Sequence, residues 1–109
     1  MKLVLHGTGE MIDKWGRLHI IPDQESMTKV KNVERQYPNR KSPVLRRAVI
    51  INVKKAIMFV GDMASDVSEL LSLPLHIRCV VKPYSFYQDD GSQNLGWTLV
   101  AEDIRARVA

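Results

Sequence analysis

Residues 75–104 read LHIRCVVKPYSFYQDDGSQNLGWTLVAEDI, and their pattern is the clearest indication of fold class in the chain. Over 75–82, apolar and polar residues alternate with the two-residue period of a strand that buries one face. The Asp-Asp-Gly-Ser sequence at 89–92 favours a turn, and 96–104 is again apolar at alternate positions. The stretch therefore predicts two strands joined as a hairpin, with 84–88 extended between the first strand and the turn.

A short helix is predicted just before this hairpin, over 64–73. Its apolar residues fall at i, i+3 and i+4, namely Val67, Leu70 and Leu71. Ser65 can cap the N-terminus, Asp66 suits the positive end of the helix dipole, and Pro74 ends the helix.

The first sixty residues predict more strands and two irregular segments. Short apolar or β-branched runs indicate strands over 1–6, 17–21, 44–53 and 56–60. The three glycines within 7–16 favour a loop that carries Trp15. The polar segment 22–43 contains three prolines and predicts a long excursion, with a single helical turn near 25–31 left open.

The order of elements is strands, one short helix and a closing hairpin, with no second helix for a βαβ unit. This order suits a small closed barrel. A chain of 109 residues has room for one hydrophobic core. We therefore expect an all-β domain over 1–109, a five-stranded barrel with one short helix and a long basic loop or hairpin.

Residues 77–104 resemble the last hairpin of single-stranded-DNA-binding proteins with the oligonucleotide/oligosaccharide-binding (OB) fold. In that family an aromatic strand runs into an acidic-glycine turn and returns through a strand whose end is matched here by Ala101-Glu102-Asp103-Ile104. The predicted helix also has its OB position, between the third and fourth barrel strands. The resemblance implies an OB-like barrel that binds single-stranded DNA without strong sequence preference. The compact relatives from phages, plasmids and mobile elements further imply a homodimer that acts in replication or DNA transfer.

The charge distribution is compatible with a polyanionic partner. The formal net charge is +4, and nine of the sixteen basic residues lie between Lys29 and Lys55, where Glu34 is the single acid. The candidate phosphate contacts are Lys29, Lys31, Arg35, Arg40, Lys41, Arg46 and Arg47, with Arg78 and Lys82 on the outward face of a strand. The candidate aromatic contacts are Tyr37, Tyr84, Phe86 and Tyr87.

Catalysis and cofactor binding find little support in the residue pattern. His6, His19 and His76 have no metal-ligand spacing, and no nucleophile motif or complete phosphate-binding glycine loop is present. Cys79 is the single cysteine, which predicts a small buried apolar residue in a reducing environment. We expect a cytoplasmic protein without a membrane span, a cofactor or enzymatic activity.

Two other functions remain open at the level of sequence. The same fold could serve as a protein-interaction or replication-accessory subunit, with its basic segment on an acidic partner. It could also bind RNA, which would require contacts to the 2′-hydroxyl.

Overall fold

Five strands close into a barrel, and three shorter strands extend its sheet. The computed structural model describes residues 1–107. Within that range the elements in chain order are β1 (Lys2–Ile12), β2 (Leu18–Pro22), α1 (Gln24–Gln36), β3 (Val44–Leu45), β4 (Ala48–Asn52), β5 (Ile57–Val60), β6 (Met63–Ala64), a 3-10 helix (Val67–Leu70), β7 (Pro74–Tyr87) and β8 (Gln93–Ala106).

The barrel closes through one parallel pair of strands. β1 pairs antiparallel with β2 and with β7, β2 with β4, and β7 with β8. β4 then pairs parallel with β8, where Ile51 lies opposite Leu99. The outer strands are β3 beside β4, and β5 beside β8 with β6 beyond it. The predicted all-β, five-stranded OB-like barrel is thereby confirmed.

The inward side chains of the barrel strands form the core. The fully buried members include Leu5, Leu18, Ile20, Val49, Ile51, Ile77, Leu99 and Ile104. Each is worth about 1.5–3 kcal/mol relative to exposure. Cys79 is also buried, as predicted, and burial together with the charge of Glu102 raises the pKa of its thiol to about 12. That thiol therefore stays protonated and packs as an apolar group.

The predicted loop over 7–16 is wrong, because β1 continues as far as Ile12. A Cβ at Gly7 would lie 2.5 Å from the carbonyl oxygen of Ile21, and one at Gly9 would lie 2.5 Å from that of Leu70. These glycines therefore permit close backbone approach inside a strand, and the chain reverses later, over 13–17.

The helical turn left open near 25–31 is part of a full helix, α1 (Gln24–Gln36), so the excursion predicted over 22–43 is wrong for those thirteen residues. Asp23 caps this helix, since its Oδ1 accepts a hydrogen bond of 2.8 Å from the backbone N–H of Ser26. That bond is the main reason why the pKa of Asp23 lies below its ordinary value. Val30 and Val33 are buried, but most of the helix surface is polar. The helix therefore has only a narrow apolar face, which is a weak sequence signal for a helix.

The helix predicted over 64–73 is shorter than expected. The 3-10 helix covers only Val67–Leu70, and its N-terminal cap is Asp66 rather than Ser65. The main helix, α1, lies between the second and third barrel strands, so the expected OB position between the third and fourth holds only the 3-10 turn. Within residues 1–107, no helix is long and apolar enough to span a membrane.

Candidate nucleic-acid interface

A groove of ≈ 440 Å³, here called the barrel groove, lies on the outer face of β2, β4 and β8. The turn at 13–17 forms one wall, and the base of the β7–β8 hairpin forms another. Its lining residues are Asp13, Trp15, Arg17, His19, Lys41, Ser42, Pro43, Leu45, Ile50, Asn52, Tyr84, Trp97, Thr98 and Leu99. The lining thus combines aromatic and aliphatic surface with two basic side chains and one acidic one.

The turn at 13–17 is held by the carboxylate of Asp13. Its Oδ1 accepts the backbone N–H groups of Trp15 and Arg17 at 2.9 and 3.0 Å. Its Oδ2 accepts Nε of Arg17 at 2.8 Å and Nε2 of His19 at 2.9 Å. Burial raises the pKa of Asp13, but the hydrogen bonds from His19 and Arg17 together lower it well below its ordinary value. The one acid of the groove is therefore charged and fully engaged.

This turn presents an exposed aromatic ring with two cations over it. The side chain of Trp15 is 69% exposed, an unusual state for the largest apolar residue type. Nζ of Lys14 lies 4.6 Å from the ring centroid, and Cζ of Arg17 lies 4.9 Å from it. A base can stack on this exposed ring by displacing one of the cations over it, and the positive charge is then available to a phosphate.

The β7–β8 hairpin carries a second aromatic surface. β1 supports β7 only as far as Val81, so the two strands project beyond the barrel as a ribbon. The rings of Tyr84 and Phe86 are stacked, with centroids 6.1 Å apart. Tyr84 lies across Gly96 on β8, where any Cβ would overlap its ring. Phe86 is 50% exposed and Tyr87, on the opposite face of β7, is 75% exposed.

Arg40 forms hydrogen bonds with both strands at the base of this hairpin. Its Nη1 donates to the carbonyl oxygens of Tyr84 and Gly96 at 2.7 and 3.1 Å, one on each strand. The half-buried ring of Tyr37 packs against Trp97 at 6.3 Å. The structure therefore places these two predicted contact residues, Arg40 and Tyr37, beneath the hairpin, where they position the groove.

The other predicted residues fall in several places. Lys41 and Tyr84 line the barrel groove. A second cleft of ≈ 570 Å³ lies between α1 and the β3–β4 turn, and its basic lining residues are Lys31, Arg35, Arg46 and Arg47. Lys82 is exposed on the outward face of β7. Two more are engaged within the fold, since Nζ of Lys29 donates to the carbonyl oxygen of Val4 and Arg78 pairs with Asp103 at 3.0 Å.

The sequence interpretation missed the turn that leads into β2. Lys14, Trp15, Arg17 and His19 were not among its candidates, although an aromatic residue flanked by basic residues and a glycine is a usable signal. If 7–16 were one loop, nothing would fix the position of Trp15. The structure places Trp15 instead on a short turn that Asp13 holds.

Comparisons of the chain with protein-family models, with curated proteins and with solved structures gave no match. Among residues 1–107, no three His, Cys, Asp or Glu side chains are placed to hold a metal ion.

Proposed function

We propose that this protein binds single-stranded DNA, largely without sequence preference, through the barrel groove and the exposed aromatics of the β7–β8 hairpin. The observation that carries the proposal is Trp15, an exposed ring with two cations over it, on a turn held by Asp13 at the rim of a groove that Tyr84 also lines.

The position of the groove supports the proposal. OB folds that bind oligonucleotides use the face of their second and third strands, together with the loops between strands one and two and strands four and five. In this barrel those elements are β2, β4, the turn at 13–17 and the β7–β8 hairpin. All four contribute to the barrel groove.

The chemistry of the lining favours a single strand over a duplex. Exposed rings such as Trp15 and Phe86, with the half-buried ring of Tyr84, bind bases by stacking, and the bases of a duplex are already stacked on each other. Every base has a flat face, so stacking supplies affinity with little sequence preference. This is a binding function without catalysis. A role in replication or DNA transfer of a phage or mobile element follows from the family resemblance.

The proposal includes a homodimer. Met63 on the outer strand β6 is 73% exposed, and it provides apolar surface for a second copy of the chain away from the groove. We expect size-exclusion chromatography with light scattering to give a molar mass of twice that of the chain. For Met63→Asp we expect the mass of a single chain. A monomeric mass for the unmodified protein at micromolar concentration would contradict the dimer.

The function is tested by fluorescence anisotropy with a labelled single strand of oligo(dT), its duplex with oligo(dA), and oligo(rU). A length of about 20 nucleotides exceeds the 4–16 that one OB fold covers. We expect the DNA single strand to bind most tightly. The logarithm of the affinity should fall with the logarithm of salt concentration, with a slope of about −0.7 for each phosphate neutralised.

Three outcomes would contradict the proposal in different ways. Tighter binding of the duplex would exclude single-strand recognition. Tighter binding of oligo(rU) would favour RNA as the ligand. No binding of any of the three at low salt would favour a protein partner instead.

A further inference from the structure

The second cleft, here called the helix cleft, is lined by four basic residues and one acid, Asp23. Arg46 and Arg47 form the two-residue β3–β4 turn on one side, and Lys31 and Arg35 lie on α1 on the other. Within residues 1–107, neither arginine of the turn has an acidic partner within 4.0 Å. Glu34 on α1 accepts a hydrogen bond from Oγ of Ser42 at 2.6 Å and lies 3.8 Å from Nζ of Lys31, so the positive charge without an acidic partner in the described chain is that of the arginines.

Arg46 is held in a costly backbone conformation. Its φ is +47°, in the left-handed region that glycine adopts readily and other residues avoid. Glycine is the common residue at the first position of such a two-residue hairpin turn. The side chain of Arg46 is exposed and makes no hydrogen bond within the described chain that would offset the strain. Strain at an exposed charged residue is typical of a position kept for binding.

The helix cleft adjoins the barrel groove across this turn. Leu45 lines the barrel groove, and the next two residues, Arg46 and Arg47, line the helix cleft. The β3–β4 turn is thus a short ridge between an aromatic groove and a cationic cleft. The phosphates of a strand that leaves the groove across this turn would therefore lie next to the side chains of Arg46 and Arg47.

We propose that a single strand bound in the barrel groove crosses the β3–β4 turn and continues into the helix cleft, where Arg46, Arg47, Lys31 and Arg35 neutralise its phosphates. This inference rests on the proposed function. The helix cleft extends the binding site beyond the nucleotides that the groove itself holds. It contributes charge rather than stacking, since its lining contains no aromatic side chain.

The test compares short and long oligo(dT) with the double variant Arg46→Gly/Arg47→Gln. For a strand of about 6 nucleotides, which fills the groove alone, we expect affinity within about twofold of the unmodified protein. For about 20 nucleotides we expect a loss of about 10-fold, and a salt slope shallower by about 1.4 because two phosphate contacts are removed. The single variant Arg46→Gly should also melt at a higher temperature, because glycine relieves the strain.

The matched control is Arg105→Gln/Arg107→Gln, which removes the same charge from the face that carries His76. We expect it to bind the long strand with at least three times the affinity of the turn variant. Equal losses for short and long strands, or no loss with the long strand, would overturn the inference. An unmodified protein that binds neither strand would overturn the proposed function itself.

Discussion

Replacing Trp15 by alanine is expected to weaken the binding of single-stranded DNA about 5- to 150-fold. A base stacked on an aromatic side chain contributes about 1–3 kcal/mol, and this ring also holds Lys14 and Arg17 beside it. Because Trp15 is mostly exposed, the free energy of unfolding should change by less than about 0.5 kcal/mol. The loss of affinity would then be a property of the interface rather than of a damaged fold.

Anisotropy titration at one salt concentration measures this effect, with urea unfolding of the same samples as the check on stability. Trp15→Phe keeps an aromatic face and should recover most of the affinity. Val4→Ala removes another exposed apolar side chain, from the outer face of β1, and should bind as the unmodified protein does. Unchanged affinity in Trp15→Ala would refute the assignment of this ring as a stacking surface.

Replacing Asp13 by asparagine is expected to lower the free energy of unfolding by about 2–3 kcal/mol and to weaken DNA binding as well. The carboxylate accepts four hydrogen bonds, and bonds to charged groups are each worth about 1.5–3 kcal/mol. Asparagine keeps the size but loses the charge that Arg17 and His19 require. The turn at 13–17 would loosen, and Trp15 would lose its fixed orientation.

The pH dependence of this loss has a definite sign. Burial raises the pKa of Asp13, but the hydrogen bonds from His19 and Arg17 outweigh it, so the folded pKa lies below the unfolded value. The stabilisation is therefore complete above about pH 4 and is lost progressively as the pH falls further. Urea unfolding should show the gap between the unmodified protein and Asp13→Asn narrowing below that pH. A gap that is the same at neutral and acidic pH would contradict the role of the charge, and Asp62→Asn, at an exposed acid, is the control.

The barrel could be anticipated because its longest strands carry a regular local signal. In β7 the inward residues Ile77, Cys79 and Val81 alternate with outward ones, and burial of one face produces that pattern directly. The length of β1 could not be anticipated in the same way. Gly7 and Gly9 serve close packing against other segments, and a glycine required by a distant neighbour looks the same in sequence as one required by a turn.

The candidate site was predictable in its charge but not in its assembly. Basic residues over 29–47 are visible in the composition, yet the structure divides them between the barrel groove, the helix cleft and internal contacts such as that of Arg40. The groove itself depends on the parallel pairing of β4 with β8, a contact between residues that are far apart in the chain. No local sequence period indicates such a pairing, so the sequence could not show that Trp15 and Tyr84 line the same groove.

The most direct test of single-strand binding in the barrel groove is a ¹H–¹⁵N correlation spectrum recorded during titration with oligo(dT). We expect the largest shifts at the indole N–H of Trp15 and at the backbone amides of Arg17, Lys41 and Tyr84. Small or no shifts are expected around His6 and His76, whose stacked rings lie on β1 and β7, outside the groove lining. Shifts centred on those histidines, or none anywhere at saturating DNA, would contradict single-strand binding in the barrel groove.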